Sequence, residues 1–191
     1  MTDKHETARR FDAPDAFRAW LTEHHDLSSG VWLTIAKKGS QTSTVTYAEA
    51  LDAALQYGWI DGQARRCDDD TYLQRFTPRR QRSPWSLRNR RAAEAMIEEG
   101  TMAPSGLAEV ERARADGRWD RAYEGQRNAE PHPDFLAALG QNPAATEFYA
   151  TLNGHSRYAI YYRVQDAKRA ETRARRIDNI VGMLARGEKL G

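Results

Sequence analysis

The sequence predicts an α+β fold in which a small antiparallel sheet with two helices is followed by a C-terminal helical bundle. Short runs rich in β-branched and aromatic residues, the signal of strands, occur before Pro84 and fade after it. Apolar residues at helical spacing flank the first of these runs and then continue along the rest of the chain. Strand and helix signals are thus largely segregated along the chain, which is typical of an α+β protein.

The N-terminal part begins with a predicted helix, a strand and a second helix. Residues 15–23 carry apolar side chains at helical spacing, whereas β-branched and aromatic types dominate residues 31–36. Thr46 and Glu49 have the spacing of a capping box, so we expect the second helix to begin at Thr46. Gly58 follows the last apolar residue of this helix and is its natural end.

Two further strands complete the predicted sheet, and only helices follow them. Residues 59–67 and 71–76 read as a hairpin joined across three consecutive aspartates. From Pro84 onward the periodicity is helical, over residues 86–99, 104–115, 132–139, 143–152, 156–164 and 170–186. Residues 116–133 are rich in glycine, proline and charge and are predicted to be irregular. We therefore predict an α/β N-terminal lobe over residues 8–82 and a helical C-terminal lobe over residues 83–191.

Composition narrows the class of protein. With 40% hydrophobic and 29% charged residues, the 191-residue chain has the make-up of a water-soluble globular protein. An apolar leader and a run long enough to span a bilayer are both missing from the sequence, so we expect a cytoplasmic protein without a membrane span. Cys67 is the only cysteine, and the five histidines lack metal-ligand spacing, so the sequence implies no disulfide, metal or cofactor.

One segment combines arginines with aromatic residues. From Arg75 to Arg91 the chain contains seven arginines and no acidic residue, although the net charge is only +2. Guanidinium groups and helix N-termini both bind anions, and strands ending beside a helix start would bring them together. The candidate ligand-binding residues form what we call the basic aromatic corner: Trp59, Asp61, Tyr72, Arg75, Arg79, Arg80, Trp85 and Ser86.

The corner is open to several functional interpretations. As a binding surface it would recognise an anionic small molecule or the acidic segment of a protein partner. As a nucleic-acid site it would contact phosphates through arginines and stack unpaired bases on Tyr72, Phe76 and Trp85. As an enzyme it would use Asp61 as a general base, although no nucleophile is identified. A purely structural interpretation pairs Asp61 with an arginine and leaves the other arginines on a solvated face. The sequence leaves the oligomeric state open.

Several blocks of sequence along the chain together carry a family resemblance. They are VTYAEA (45–50), YGWIDGQ (57–63), YLQRFTPRR (72–80), SPWS (83–86), Gly106 with Leu107, ADGRW (115–119), RYAIYY (157–162) and AKRAETRARRIDNIVGMLARG (167–187). In this order they resemble the YdeI/OmpD-associated family, also called the bacteriocin-protection family, from about Phe11 to Lys189, and a visible departure is Ala170, where proline is usual. The resemblance implies a role in envelope stress or in tolerance of antimicrobial peptides, with a porin as one candidate partner, and it implies no agreed catalytic residue. Without a leader, indirect action from the cytoplasm is the expectation.

Overall fold

A computed structural model describes residues 8–190 and confirms the predicted α+β class. The predicted strands and helices are present, and their ends lie within about two residues of the expected positions. Between Ala115 and Pro133 the chain is irregular, as predicted. The elements are α1 (Pro14–His24), β1 (Val31–Ala36), α2 (Tyr47–Gln56), β2 (Trp59–Arg66), β3 (Thr71–Pro78), α3 (Leu87–Glu98), α4 (Pro104–Ala115), α5 (Pro133–Gly140), α6 (Pro143–Thr151), α7 (Gly154–Gln165) and α8 (Ala170–Ala185).

The three strands form one antiparallel sheet in the order β1-β3-β2. β2 contains a bulge, because its pairing with β3 shifts between Asp61 and Ala64. The side-chain amide of Gln74 fills the gap in the ladder by donating to the carbonyl of Gly62 at 3.0 Å. A bulge places one extra residue on its strand, so the residues beyond it point to the opposite faces from those that simple alternation predicts.

Helices α1 and α2 cover one face of the sheet and form the first hydrophobic core with it. Phe17 of α1, Leu51 of α2 and Phe76 of β3 are among the buried residues of this core. The predicted capping box is confirmed, since the backbone N–H of Glu49 donates to the Thr46 hydroxyl at 3.3 Å and the Thr46 N–H donates to the Glu49 carboxylate at 2.9 Å. The helix then ends before Gly58, which adopts a φ of 78° that glycine tolerates.

Helix α4 lies against the end of α2 through an unusually close backbone contact. A Cβ atom at Gly106 would overlap the carbonyl group of Gln56. The Ser105 hydroxyl donates to the carbonyl of Tyr57 at 3.1 Å, and the backbone N–H of Ala103 donates to the carbonyl of Gln56 at 3.1 Å. These contacts satisfy carbonyl groups at the C-terminal end of α2 that its own helix leaves without partners.

The chain forms two compact units. The first contains residues 8–84 together with residues 89–120, so most of α3 and all of α4 belong with the sheet. The second contains residues 85–88 and 121–190. Its core consists of Phe135, Leu139 and the inward faces of the last three helices, including Ile160 and Ile180. None of the helices in the part of the chain that the structure describes is long and apolar enough to span a membrane.

Candidate functional site

Trp59 and Asp61 lie on the helix-covered side of the sheet. The Trp59 side chain is 1% exposed, belongs to the first core and donates its indole N–H to the carbonyl of His25 at 3.1 Å. Asp61 is half-buried and accepts a hydrogen bond from the hydroxyl of Tyr47 at 2.9 Å. The Asp61 carboxylate is therefore held by a phenol of α2, and its role as a general base stays a prediction.

Tyr72 and Arg75 lie on opposite faces of β3. Tyr72 packs against the first core, and desolvation by burial raises the pKa of its phenol. Arg75 is paired across strands with Trp32 of β1, and its Cζ atom lies 5.6 Å from the centroid of the Trp32 ring. The two residues were expected at one site, but strand alternation separates them.

Arg79 and Arg80 follow β3 and differ in accessibility. Arg79 is 5% exposed and donates from its guanidinium to the carbonyl of Pro84 at 3.1 Å, while its backbone N–H donates to the carbonyl of Gly58 at 3.1 Å. Arg80 is exposed, and its backbone N–H donates to the Ser83 hydroxyl at 3.0 Å. Arg79 thus connects chain segments inside the first unit, whereas Arg80 presents its charge to solvent.

Trp85 and Ser86 belong to the second unit. The carbonyl of Trp85 accepts a hydrogen bond from the backbone N–H of Tyr123 at 3.0 Å, and Ser86 forms a parallel bridge with Tyr123. The Trp85 side chain is buried and Ser86 is half-buried just before α3 begins. The eight predicted residues are therefore divided between two units, and the six in the first unit occupy both faces of the sheet and the segment after it.

A cluster that the sequence did not predict lies on the sheet face opposite α1 and α2. It consists of Trp32, Arg65 and Arg75, and we call it the Arg–Trp platform. The Arg65 Cζ atom lies 4.5 Å from the centroid of the Trp32 ring, within the range of a cation–π contact. Counting alternate residues from Trp59 would place Arg65 on the core side, but the bulge reverses this and turns Arg65 outward. Pairing register was the missing information, and the sequence does not display it.

The neighbouring residue Arg66 has a different environment. It is paired with Tyr72, one position along the ladder from Arg65, and its side chain is 80% exposed. Its guanidinium forms an ion pair with Asp69 at 3.1 Å. Arg65, in contrast, forms no hydrogen bond or ion pair with any residue between 8 and 190, and its guanidinium is exposed. Two adjacent arginines of one strand therefore provide one cation stacked on an indole and one already paired with a carboxylate.

The platform has the chemistry of an anion site. Its two guanidinium groups come from neighbouring strands of a sheet, which hold their backbones at fixed spacing. A guanidinium that lies over an aromatic ring still has N–H groups available at its edge. These N–H groups donate to a carboxylate or phosphate. Trp32 is 6% exposed, so its own ring offers no surface on which a base could stack.

The fold and this cluster define an α+β protein with an arginine-bearing sheet face. Comparison with protein families shows which families its segments match. Residues 9–109 match a family described as a domain of unknown function (DUF8412). Because this match covers more than half of the 191 residues, the chain belongs to that family. Residues 128–187 match the family described as Bacteriocin-protection, YdeI or OmpD-Associated.

The predicted family resemblance is confirmed for residues 128–187, which contain the blocks at 157–162 and 167–187. The blocks between residues 45 and 86 fall within the other match. The Arg–Trp platform therefore lies in the domain of unknown function, and α5 to α8 lie in the bacteriocin-protection region. Searches of curated proteins and of solved structures gave no significant match.

Proposed function

We propose that this protein is a binding protein whose first unit takes an anionic ligand on the Arg–Trp platform. The observation that carries this proposal is the stacking of Arg65 on Trp32, with Arg75 over the same indole. Stacking restricts the guanidinium before the ligand arrives, so less side-chain entropy is lost on binding. Because Arg65 is exposed, an anion reaches it without displacing a buried group.

The platform favours a phosphate or carboxylate over a nucleic acid. Single-stranded nucleic acids bind through exposed aromatic faces on which bases stack. At the platform the aromatic face is already occupied by guanidinium groups and the indole is almost fully buried. The ligand class is therefore a compact anion, either free or at the end of a partner's acidic segment.

The test compares Arg65→Gln with Arg66→Gln by isothermal titration of inorganic phosphate, pyrophosphate and citrate. Both variants remove one positive charge from the same strand, but only the first removes a platform guanidinium. A charge-assisted hydrogen bond contributes about 1.5–3 kcal/mol, so Arg65→Gln is expected to weaken binding by roughly tenfold or more. Arg66→Gln is expected to change the affinity by about twofold, through long-range charge alone.

Two results would contradict the proposal. Equal weakening in both variants would mean that net charge, and not the platform, attracts the anions. Tighter binding of an unstructured oligonucleotide than of pyrophosphate, lost in neither variant, would point to a different surface and to nucleic acid. Thermal melting of each variant provides the control for folding, because both side chains are exposed and neither substitution is expected to alter the Tm appreciably.

We propose further that anion binding serves tolerance of bacteriocins or other antimicrobial peptides from the cytoplasm. The support is the match of residues 128–187 to the bacteriocin-protection family. A host strain lacking the gene should lose survival in the peptide, and the wild-type gene should restore it. Restoration by Arg66→Gln but not by Arg65→Gln would connect the platform to the phenotype. Cell fractionation of the tagged protein tests its location.

A further inference from the structure

Helix α7 presents a continuous stripe of polar and aromatic side chains away from the second core. Ile160 and Val164 are buried in that core, one helical turn apart. The other stripe has the spacing of one helix face and consists of His155, Tyr158, Ala159, Tyr162 and Arg163. This second stripe lines one wall of a groove in the second unit.

The groove has two adjoining halves. One half has a volume of about 420 Å³ and is lined by the α7 stripe together with Leu190. The other has a volume of about 570 Å³, and Arg163 and Leu190 line it as well. Both volumes are in the range of small-molecule sites. This second half is also lined by residues of α8 and by the residue that follows it: Arg176, Asp178, Asn179, Ile180, Gly182, Met183 and Arg186.

The first half is aromatic, and its rings are held in place. Tyr158 donates from its hydroxyl to the carbonyl of Glu124 at 3.2 Å. The ring of Tyr162 packs edge-on against Tyr123, with centroids 5.2 Å apart. Both tyrosines are half-buried, so part of each ring remains at the groove surface. Positioned rings with accessible surface bind planar groups at a small entropic cost.

The second half is lined by three arginines and by the acidic Asp178, and one of these arginines is uncommitted. Arg176 donates to the carbonyl of Arg163 at 2.7 Å and pairs with Asp166 at 3.2 Å. Arg186 is neutralised by Glu188, with which it forms two hydrogen bonds. The Arg163 guanidinium forms no hydrogen bond or ion pair within residues 8–190, and Arg163 is a lining residue of both halves. Arg163 is therefore the group available to an anion.

Gly182 lines the second half of the groove without a side chain. It lies in the interior of α8, where glycine is unfavourable because the unfolded chain gains entropy from it. A Cβ atom at Gly182 would meet one atom within 4 Å, the terminal nitrogen of Arg186 at 3.6 Å, which is an ordinary contact. Packing within the unit therefore does not require glycine here, and the missing side chain leaves space along the groove.

We propose that this groove binds a small molecule in which a planar aromatic ring carries a phosphate or carboxylate group. The ring lies against Tyr158 and Tyr162, and the anionic group pairs with Arg163. Because Arg163 lines both halves of the groove, one short molecule must carry both the ring and the anionic group. This site is separate from the Arg–Trp platform, which belongs to the other unit and to the other family match.

The experiment uses the full chain carrying Arg65→Gln, so that the platform does not contribute to anion binding. Phenyl phosphate, benzoate and adenosine monophosphate are titrated while backbone amide resonances of α7 and α8 are followed by NMR. Phenol and inorganic phosphate serve as the separated halves of the ligand. At least one of the three joined molecules is expected to shift those resonances saturably, with an affinity about tenfold or more above that of either half.

Two variants assign the effect to the groove. Arg163→Gln is expected to weaken binding by roughly tenfold, and Arg175→Gln, an exposed arginine of α8 outside the groove lining, by less than about twofold. Gly182→Leu places a bulky side chain in the second half of the groove. This variant is expected to abolish binding while the amide spectrum remains that of a folded protein. The proposal is overturned if none of the three molecules shifts these resonances. It is also overturned if Arg163→Gln and Arg175→Gln weaken binding equally, or if a separated half binds as tightly as the joined molecule.

Discussion

The first unit buries more of its large aromatic rings than the second unit does. Trp59 and Phe76 are buried in the first core, and Trp59 meets Trp20 edge-on with centroids 5.9 Å apart. In the second unit Tyr158 and Tyr162 are half-buried on α7, and the adjacent core is mainly aliphatic. Rings that pack a core are unavailable to a ligand. The anion binding that we propose for the first unit therefore relies on guanidinium groups, and the binding that we propose for the second unit adds tyrosine rings.

The two units also differ in how they use glycine within helices. Gly106 of α4 is in contact with the backbone of α2, so its missing side chain allows two helices to approach closely. Gly182 of α8 borders the groove and has no comparable contact. The first glycine serves packing and the second leaves space. Alanine substitutions at the two positions should therefore have opposite effects on stability.

The largest effect is expected for Gly106→Ala. Its Cβ would overlap the carbonyl of Gln56 and lie 2.8 Å from the Cε atom of Met102, and the backbone contact cannot be relieved by a rotamer change. We expect a loss of about 3 kcal/mol of unfolding free energy, seen in calorimetry as a Tm lower by roughly 6–12 °C. A variant that melts within a degree of the wild type would show that α4 does not approach α2 this closely.

Gly182→Ala should have a smaller effect of the opposite sign. Replacing a helix-interior glycine whose Cβ position is free is expected to stabilise the protein by about 1 kcal/mol and raise the Tm by roughly 2–4 °C. The same calorimetric experiment measures it, with Gly106→Ala as the matched comparison. A lower Tm would mean that the alanine methyl group at position 182 meets atoms other than those of Arg186. The two glycines would then not differ in the way described.

The smallest expected effect is the alkaline titration of Tyr158. Burial, together with the neighbouring tyrosines, raises the pKa of Tyr158 to about 12 from an ordinary value of 10.0. Because the raised pKa favours the neutral phenol in the folded state, its contribution to stability is complete below pH 10. That contribution is lost as the pH rises from about 10 to about 12.

Tyr158→Phe checks this window. The variant should lose one phenolate absorbance step near pH 12 and should show a shallower decline in stability between pH 10 and 12 than the wild type. Identical declines in the two proteins would mean that Tyr158 ionises in the folded protein as it does in the unfolded chain. That result would also show that its ring is more solvated than the hydrogen bond to Glu124 indicates.

Sequence reasoning identified the secondary structure well, whereas the spatial arrangement of the candidate site residues could not be derived from it, for physical reasons. Helix starts such as the Thr46 capping box depend on residues a few positions apart, so the sequence alone displays them. Burial of Arg79 and the position of Arg65 depend instead on contacts between distant segments. Strand alternation alone separates Tyr72 and Arg75 onto opposite faces of β3, but the sequence could not show that Trp85 belongs to another unit. Of the eight predicted residues, Arg75 alone is part of the platform.

The bulge in β2 makes the exposed side of this sheet sensitive to chain length. Between Asp61 and Ala64 one strand carries one residue more than its partner requires. Deleting a single residue there would restore strict alternation and exchange the faces of Arg65 and Arg66, while every amino acid beyond it stayed the same. A relative shorter by one residue at this point would conserve both arginines in an alignment and still lack the stacked cation. For this surface, the length of the segment between positions 61 and 64 is as diagnostic as the identity of the arginines.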